Sequence, residues 1–498
     1  MQRTYQFYGA LWLAKLARRV LLLAGREASN LPGKIALKLC PDFLSLIGRP
    51  EIVACVTGTN GKTTTCNLVV DALRHSGVSV TCNVYGSNIN TGIAAALLAD
   101  SSLLGNAKNK LAVLEVDERS SLLIYPRIRP DYVLCTGLFR DSIRRNANTD
   151  FISYIISKAL PEQTHLILNG DDLICSGIGP QCAERTYYGV NSPYGVPEAG
   201  RGFLEKLYCP RCGAPMEYGL ARYGHVGRVY CSNCGFKSPT CDYVITEVDP
   251  ETSRMTLEQG GKRHTLRLVN DNIVNVYNVC GACTLLDKLG LAFEQITAYL
   301  EEAKIVDSRF SSEQYGDAVI VRQLAKGMNP IACSSAINYV CHTGERKKNV
   351  ILSLDDIHEN SGDVENTCWI YETDFSPLLD DSVSRVILAG PRNQDFLVRA
   401  LLEGVDRDRI FCTEDFLNAA DFIETEGVDY CILYDLYIAY KVGALTDRIK
   451  AKLAPVNTPA PLSPRETAGE PDGAAEPDVP ENTTQADLAE DTEADHDH

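Results

Sequence analysis

The sequence predicts an α/β fold, in which a central parallel sheet carries an inserted four-cysteine ribbon and is followed by a smaller α/β domain. Between about residues 49 and 305, short apolar runs alternate with helical patterns, and three more runs follow between 306 and 452. Such alternation is typical of a mostly parallel sheet. A glycine-rich loop and two Cys-x₂-Cys pairs interrupt it, and they predict a phosphate site and a metal site.

Residues 1–48 are predicted to form a helical segment with a break at 30–34. The part at 9–23 carries its charges in the middle, whereas a signal peptide needs them ahead of an uninterrupted apolar stretch. Its pattern is that of an amphipathic helix with aromatic and basic residues. Two alternatives stay open: the helix packs on the body of the protein, or it makes a peripheral contact with a membrane surface.

The loop at 57–65 lies between an apolar run at 52–56, a predicted strand, and a helical pattern at 66–73. A strand, a glycine-rich turn and a helix cradle nucleotide phosphates, because backbone N–H groups and the helix N-terminus face the anion. Lys62 is predicted to contact the terminal phosphates and Thr63 to bind Mg²⁺. The predicted ATP-binding residues of this loop are Thr57, Gly58, Thr59, Asn60, Gly61, Lys62, Thr63 and Thr64.

An acidic cluster at 115–118 follows a second predicted strand, at 111–115. The carboxyl ends of parallel strands meet at one edge of a sheet, where ligands bind. Mg²⁺ that bridges nucleotide phosphates takes one or two carboxylates from the protein. The cluster is therefore predicted to supply magnesium ligands, and a solvated acidic loop is the alternative.

Two cysteine pairs predict a zinc site of the structural kind. Cys209 and Cys212 form one pair, Cys231 and Cys234 the other, and each pair is followed by a glycine. Four thiolates at this spacing bind zinc tetrahedrally and leave no open position for a substrate. The ribbon is predicted to occupy about residues 203–240 as an insertion in the nucleotide domain.

Composition narrows the class of protein. The net charge is −17, but residues 453–498 carry twelve acidic residues against one arginine, and this tail is predicted to be disordered. The remainder of the chain is only mildly acidic. Nothing in it suggests the basic face that a nucleic-acid-binding protein normally has. The 19 cysteines, an odd number spread through apolar runs, predict reduced thiols and a cytoplasmic protein.

These motifs together resemble the Mur ligase family and, within it, the MurT-type subunits of lipid II isoglutaminyl synthase. Val56 stands where other phosphate loops have their first glycine, and the Mur ligase family likewise lacks that glycine. The four-cysteine ribbon is the most specific feature, since ordinary Mur ligases lack it. The further segments that carry the resemblance are 31–36, 115–118, 139–141, 168–172, 275–278, 324–326 and 369–371.

The resemblance implies a reaction in which ATP converts a carboxylate into an acyl phosphate and ammonia displaces the phosphate. The substrate would be the α-carboxyl of D-glutamate in the lipid II stem peptide, and the product D-isoglutamine. A GatD-type glutaminase would supply the ammonia as the second subunit of a heterodimer. The implied location is the cytoplasm, at the inner face of the membrane.

The resemblance also assigns residues beyond the loop. Glu115 would hold Mg²⁺. Asn275 and Asn278 would line the nucleotide pocket, and Arg309 would face the phosphates. The family has an Asp before its Trp-Ile motif, thought to complete a Cys-His-Asp triad with the glutaminase. This chain has Asn366 at that spacing, and Asp363 is the candidate replacement. Two alternatives stay open. The altered stretch after 139–141 favours a Mur-like ligase with another substrate, and Gly137 and Asn366, in place of the family's Asn and Asp, favour a non-catalytic ATP-binding scaffold.

Overall fold

The computed structural model of this chain describes residues 3–83, 87–140, 148–195, 208–270, 272–303, 310–325, 329–354, 367–435 and 438–453. The predicted disordered tail lies outside these residues, except for Leu453. Residues 1–453 belong to one compact unit, so the predicted domain border near residue 305 stays a prediction. Among the described residues, no helix combines the length and the apolar content needed to cross a bilayer.

The N-terminal segment is helical, as predicted. Its helices are α1 (Tyr5–Leu23), α2 (Leu31–Leu39) and α3 (Phe43–Leu46). Thr4 caps α1 by accepting a hydrogen bond from the backbone N–H of Phe7. The predicted break at 30–34 is misplaced, because α2 already begins at Leu31. Pro32 stands in the first turn of α2, where a proline costs no hydrogen bond, so the break lies ahead of Leu31.

Within the described residues, the central sheet has nine strands, and a two-stranded hairpin is inserted between its sixth and seventh strands in chain order. The strands are β1 (Ile52–Thr57), β2 (Val80–Cys82), β3 (Leu111–Glu115), β4 (Tyr132–Cys135), β5 (His165–Asn169), β6 (Arg185–Val190), the hairpin β7 (Glu217–Tyr223) and β8 (Val226–Tyr230), then β9 (Tyr243–Asp249), β10 (Arg254–Gln259) and β11 (Lys262–Arg267). The order across the sheet is β11-β10-β9-β6-β5-β4-β1-β3-β2. Strands β1 to β6 and β9 run parallel, whereas β10 and β11 form an antiparallel edge.

Helices cover both faces of this sheet. They are α4 (Lys62–His75), α5 (Asn90–Ala99), α6 (Ser121–Ile128), α7 (Thr149–Ala159), α8 (Ile273–Lys288) and α9 (Phe293–Glu302). Alternate residues of β1 belong to different cores: Val53 and Cys55 to one, Ala54 and Val56 to the other. Because both faces are buried, the strand reads as a continuous apolar run, as expected for a covered parallel sheet.

A second, six-stranded sheet follows, and it confirms a C-terminal α/β region. Its strands are β12 (Phe310–Tyr315), β13 (Ala318–Leu324), β14 (Lys347–Ser353), β15 (Val383–Ala389), β16 (Ile410–Thr413) and β17 (Val428–Tyr434), in the order β12-β13-β17-β14-β15-β16. Its helices are α10 (Pro330–His342), α11 (Cys368–Glu372), α12 (Asn393–Glu403) and α13 (Ala439–Leu453). Among the strands that the structure describes in this sheet, only β12 runs antiparallel to its neighbour.

Candidate functional site

The phosphate loop joins β1 to α4, as the sequence predicted. Two glycines have positive φ, 126° at Gly58 and 83° at Gly61, and the second lies directly ahead of α4. A Cβ atom on Gly61 would lie 2.1 Å from Oδ1 of Asn278 on α8. Glycine is therefore required at residue 61 both for its backbone conformation and for the close approach of α8.

Gly61→Ala is expected to weaken ATP binding by about tenfold or more, because the new methyl group must displace Asn278 or the loop. The matched control is Gly77→Ala. Gly77 also has a positive φ, of 79°, but no atom lies within 4 Å of its virtual Cβ. The control should lose only folding stability. Equal ATP affinity for the two variants, measured by calorimetry, would contradict a role for this contact.

Lys62 begins α4 and forms an ion pair with Glu118. Its Nζ lies 3.1 Å from Oε1 of Glu118 and 2.5 Å from the carbonyl oxygen of Gly58. Burial disfavours the charge on Lys62, but the neighbouring carboxylates, Glu118 first among them, outweigh burial and raise the pKa of its amino group. Burial also raises the pKa of Glu118. The charged lysine is thus held at the loop by a carboxylate that a phosphate group can replace.

Glu115 lies at the carboxyl end of β3, beside the loop. Glu115 pairs in register with Val56 of β1, and the phosphate loop begins directly after Val56. Asn88 donates a hydrogen bond from Nδ2 to Oε1 of Glu115 over 3.0 Å, and Asn83 contacts both backbone polar groups of Glu115. Asn88 therefore orients the buried carboxylate, and Asn83 fixes the backbone that carries it. Neither asparagine was predicted from the sequence.

A second segment, after β4, supports the loop from the other side. The backbone N–H of Thr59 donates to the carbonyl oxygen of Gly137 over 2.8 Å, and Thr59 Oγ1 accepts from the N–H of Phe139 over 3.0 Å. Thr136 Oγ1 donates to the carbonyl oxygen of Asn60 over 2.5 Å. The loop is therefore held in shape by strand ends on both sides of β1, which is the arrangement expected at the edge of a parallel sheet.

Two predicted pocket residues on α8 lie together at the loop. Asn278 is buried against Gly61, and its Nδ2 donates to Oδ1 of Asn275 over 3.2 Å. Thr63 and Thr64 occupy the second and third positions of α4, and the side chain of Thr63 is exposed. The structure thus brings together Lys62, Thr63, Glu115, Asn275 and Asn278 around one loop.

Asn329 connects the C-terminal region to this loop. It is fully buried, its Nδ2 donates to Oδ1 of Asn60 over 3.1 Å, and its Oδ1 caps α10 through the N–H of Ala332. An ion pair of 2.6 Å between Arg140 and Glu372 joins the same two regions. An asparagine ahead of Pro330 is a recognisable helix start, but its contact with the loop joins residues far apart in the sequence.

Asn329→Ala is expected to lower the free energy of unfolding by about 1–2 kcal/mol, since it removes a helix cap and strands a buried amide. It should also raise the KM for ATP. Asn329→Asp keeps the cap and can accept a hydrogen bond from the amide of Asn60, so it should stay close to the parent protein. Denaturant unfolding and ADP release separate the two variants. If Asn329→Ala matched Asn329→Asp and the parent protein in both measurements, the contact between the regions would have no energetic role.

The four ribbon cysteines converge as predicted. Their sulfur atoms all lie within 4.8 Å of one another, with 3.5 Å between those of Cys209 and Cys234 and 3.6 Å between those of Cys212 and Cys231. Tetrahedral zinc with bonds of 2.3 Å needs sulfur atoms about 3.8 Å apart, so the set fits that ion. Asn233 and the backbone of Ala214 lower the pKa of Cys212 to about 6, which favours the thiolate.

Two adjacent aspartates fasten the ribbon hairpin to the central sheet. Asp172 accepts hydrogen bonds from Nε2 of His225 over 3.1 Å and from the N–H of Leu138 over 2.8 Å. Asp171 accepts from Arg228 over 3.0 Å and from the hydroxyl of Tyr277 over 2.7 Å. The hairpin is therefore joined to Leu138, one residue before the Phe139 that binds Thr59 of the phosphate loop.

Three predicted site residues lie outside the described residues. They are Arg309, assigned to the phosphates, and Asn366 and Asp363, assigned to the triad with the glutaminase. Their roles stay predictions.

Comparison with known proteins places the chain among the Mur ligases. The model of the Mur ligase middle domain matches residues 56–193, and that of the MurT ligase C-terminal region matches residues 324–439. One relative is the subunit MurT of lipid II isoglutaminyl synthase (glutamine-hydrolyzing) from Staphylococcus aureus strain COL. It is 30% identical over 427 residues, which cover 85% of this chain and 94% of that protein.

Solved structures share the fold. A pseudomurein peptide ligase type C from Methanothermus fervidus has a TM-score of 0.61 at 18% identity, with 84% of each chain covered. MurF from Thermotoga maritima, solved in complex with ADP, has a TM-score of 0.53 at 14% identity and covers 85% of this chain and 84% of that chain. These likenesses show the fold of Mur ligases. With the relative at 30% identity, they establish that this chain is a ligase that belongs to the MurT family.

Proposed function

We propose that the chain is the ATP-dependent amidating subunit of a two-subunit lipid II isoglutaminyl synthase. It converts the α-carboxyl of D-glutamate in the lipid II stem peptide into the amide of D-isoglutamine. The name of the Staphylococcus aureus relative supports this reaction. The observation that carries the proposal is the convergence of Lys62, Glu118 and Glu115 on a phosphate loop shaped by Gly61.

The residues at the loop fit ATP and Mg²⁺. Lys62 exchanges Glu118 for a phosphate oxygen when the nucleotide binds, and the N–H groups at the start of α4 face the phosphates. The hydroxyl of Thr63 and the carboxylate of Glu115 are oxygen ligands of the kind that Mg²⁺ takes. Asn275 and Asn278 would line the nucleotide pocket, and Arg309 would contribute positive charge for the phosphates. Positioning and charge neutralisation account for most of the catalysis in phosphoryl transfer.

The reaction has two steps. A carboxylate oxygen of the substrate attacks the terminal phosphorus of ATP, and ADP leaves with the electrons of the broken P–O bond. Ammonia then attacks the acyl carbon, loses a proton and expels inorganic phosphate. A carboxylate and ammonia do not condense at neutral pH without such activation, so each amide consumes one ATP.

Ammonia comes from a GatD-type glutaminase bound to this chain. Asn366, or Asp363 in its place, completes the catalytic triad of that subunit. An asparagine orients a histidine as an aspartate does, but it does not stabilise the imidazolium by charge. If Asn366 completes the triad, we therefore expect slower glutamine hydrolysis than in a subunit pair with aspartate there, whereas Asp363 in its place would preserve the rate. The four cysteines hold a structural zinc ion, which takes no part in either step.

The test supplies ammonium chloride in place of the glutaminase, so that the ligase step is measured alone. Purified chain, ATP, Mg²⁺ and lipid II are expected to release ADP only when both lipid II and ammonium are present. ADP release with another carboxylate but not with lipid II would instead support a Mur-like ligase of different specificity. ATP binding without turnover on any stem peptide would support a non-catalytic scaffold. Either outcome contradicts the proposal.

A further inference from the structure

Helix α1 is apolar on two opposite faces. Phe7, Ala10, Leu11 and Ala14 form the buried face, which packs on the other N-terminal helices and on α5. At 100° per residue, the residues Trp12, Leu13, Leu16, Val20 and Leu23 fall on the opposite face, and each is more than half exposed. A surface helix of a globular protein typically has one apolar stripe, so the outer stripe exceeds what the packing of α1 on the protein requires.

The C-terminal half of α1 reaches beyond the core of the protein. Ala14 is its last buried residue, and Lys15 ties this point to the body through the carbonyl oxygens of Leu98 and Ser101, over 2.7 and 2.8 Å. Leu16, at 58% exposed, and Leu23, at 82%, follow on the projecting part. Water therefore surrounds large aliphatic side chains on two and a half turns of helix.

A loop extends this apolar surface beside α1. Trp12 donates a hydrogen bond from its indole N–H to the carbonyl oxygen of Leu103 over 2.9 Å. Leu103 and Leu104 are 71% and 61% exposed. We call Trp12, Leu13, Leu16, Val20 and Leu23, with these two leucines, the outer apolar surface. A contiguous patch of this kind marks an interaction site.

Charge around the outer apolar surface is opposite to that of the whole chain. Residues 1–40 contain seven arginines and lysines and a single acidic residue, Glu27, whereas the chain as a whole carries −17. Arg19 and Arg26 are exposed at the projecting end of α1. A basic amphipathic helix with a tryptophan on its apolar side is typical of helices that lie in the plane of an anionic membrane.

We propose that the outer apolar surface lies on an anionic lipid bilayer, with its leucines, Val20 and Trp12 in the headgroup region and Arg19 and Arg26 on lipid phosphates. Each basic residue near such a surface adds attraction that salt weakens. A second copy of this chain is the poorer occupant, because a two-fold contact would bring the basic N-terminal segment against the equally basic segment of the other copy. The proposal stands apart from the chemistry at the phosphate loop.

Sedimentation with vesicles tests the proposal on the full chain. The chain should bind vesicles of equal parts phosphatidylglycerol and phosphatidylcholine, and bind far less to pure phosphatidylcholine. Leu16→Glu and Val20→Glu should each reduce binding by about tenfold or more. The control is Leu402→Glu, which changes a 69% exposed leucine on α12 and should bind like the parent. Circular dichroism of the three variants should match that of the parent, which checks that each variant is folded.

Several results would overturn the proposal. They are no binding to the anionic vesicles, equal binding to both compositions, or binding that Leu16→Glu and Leu402→Glu reduce alike. Loss of a dimer in Leu16→Glu, without any change in vesicle binding, would assign the surface to a second copy. Because sedimentation needs neither ATP nor a substrate, failure of the proposed reaction leaves this outcome unaffected.

Discussion

Lys62→Ala is expected to reduce ATP turnover by about 10²–10³-fold or more, since it removes the only charged group that the loop itself offers to the phosphates. The same change leaves Glu118 buried without its partner. Breaking a buried ion pair costs about 3–5 kcal/mol, so the single variant confounds lost chemistry with lost stability. The exposed side-chain fractions of 13% for Lys62 and 2% for Glu118 justify treating the pair as buried.

A double variant, Lys62→Met with Glu118→Gln, separates the two effects. It removes both charges and keeps similar side-chain volume, so it should unfold close to the parent in denaturant yet release no ADP. Lys262→Ala, on an exposed strand of the central sheet, is the control for the loss of one lysine. Zinc content should be unchanged in every variant. ATP turnover by the double variant at the parental rate would exclude Lys62 from phosphate binding.

Cys231→Ser is expected to abolish zinc binding and to unfold the ribbon. Structural zinc sites of this kind contribute about 10–16 kcal/mol of apparent binding free energy in isolated peptides, and three thiolates hold the ion far less well. Because His225 of the hairpin reaches Leu138 through Asp172, we expect the KM for ATP to rise as well. Metal analysis and ADP release measure the two effects.

The control for that experiment is Cys412→Ser, which changes a partly exposed thiol of the C-terminal sheet. It should retain zinc and activity. If the parent protein and Cys231→Ser contain zinc at equal stoichiometry, the metal is bound elsewhere. A parent protein that purifies without zinc and does not bind the ion when it is added would contradict the structural role of the ribbon.

Local sequence patterns predicted the parts of the site that depend on neighbours in the chain. The strand at 52–56 and the helix after it were predicted because buried parallel strands and glycine-rich turns have local signatures, and α4 simply begins four residues earlier than its apolar pattern. The four cysteines converge for the same reason, since two knuckles and a hairpin fix their geometry.

Contacts between distant elements could not be predicted in this way. Glu118 was included in an acidic cluster, but its ion pair with Lys62 depends on how β3 lies beside β1. Asn329 carries the signature of a helix cap, yet nothing local shows that it reaches Asn60. The two-faced character of α1 also required the structure, because the sequence alone left packing and membrane contact as alternatives.

The most direct test of the proposed reaction is the amidation of lipid II by the complete synthase. The chain is co-expressed with a GatD-type glutaminase, and the purified pair is incubated with ATP, Mg²⁺, glutamine and lipid II. Mass spectrometry of the lipid product should find an amide at the D-glutamate α-carboxyl, with one ADP formed per amide. Unmodified lipid II, alongside a characterised synthase that amidates the same preparation, would contradict the account.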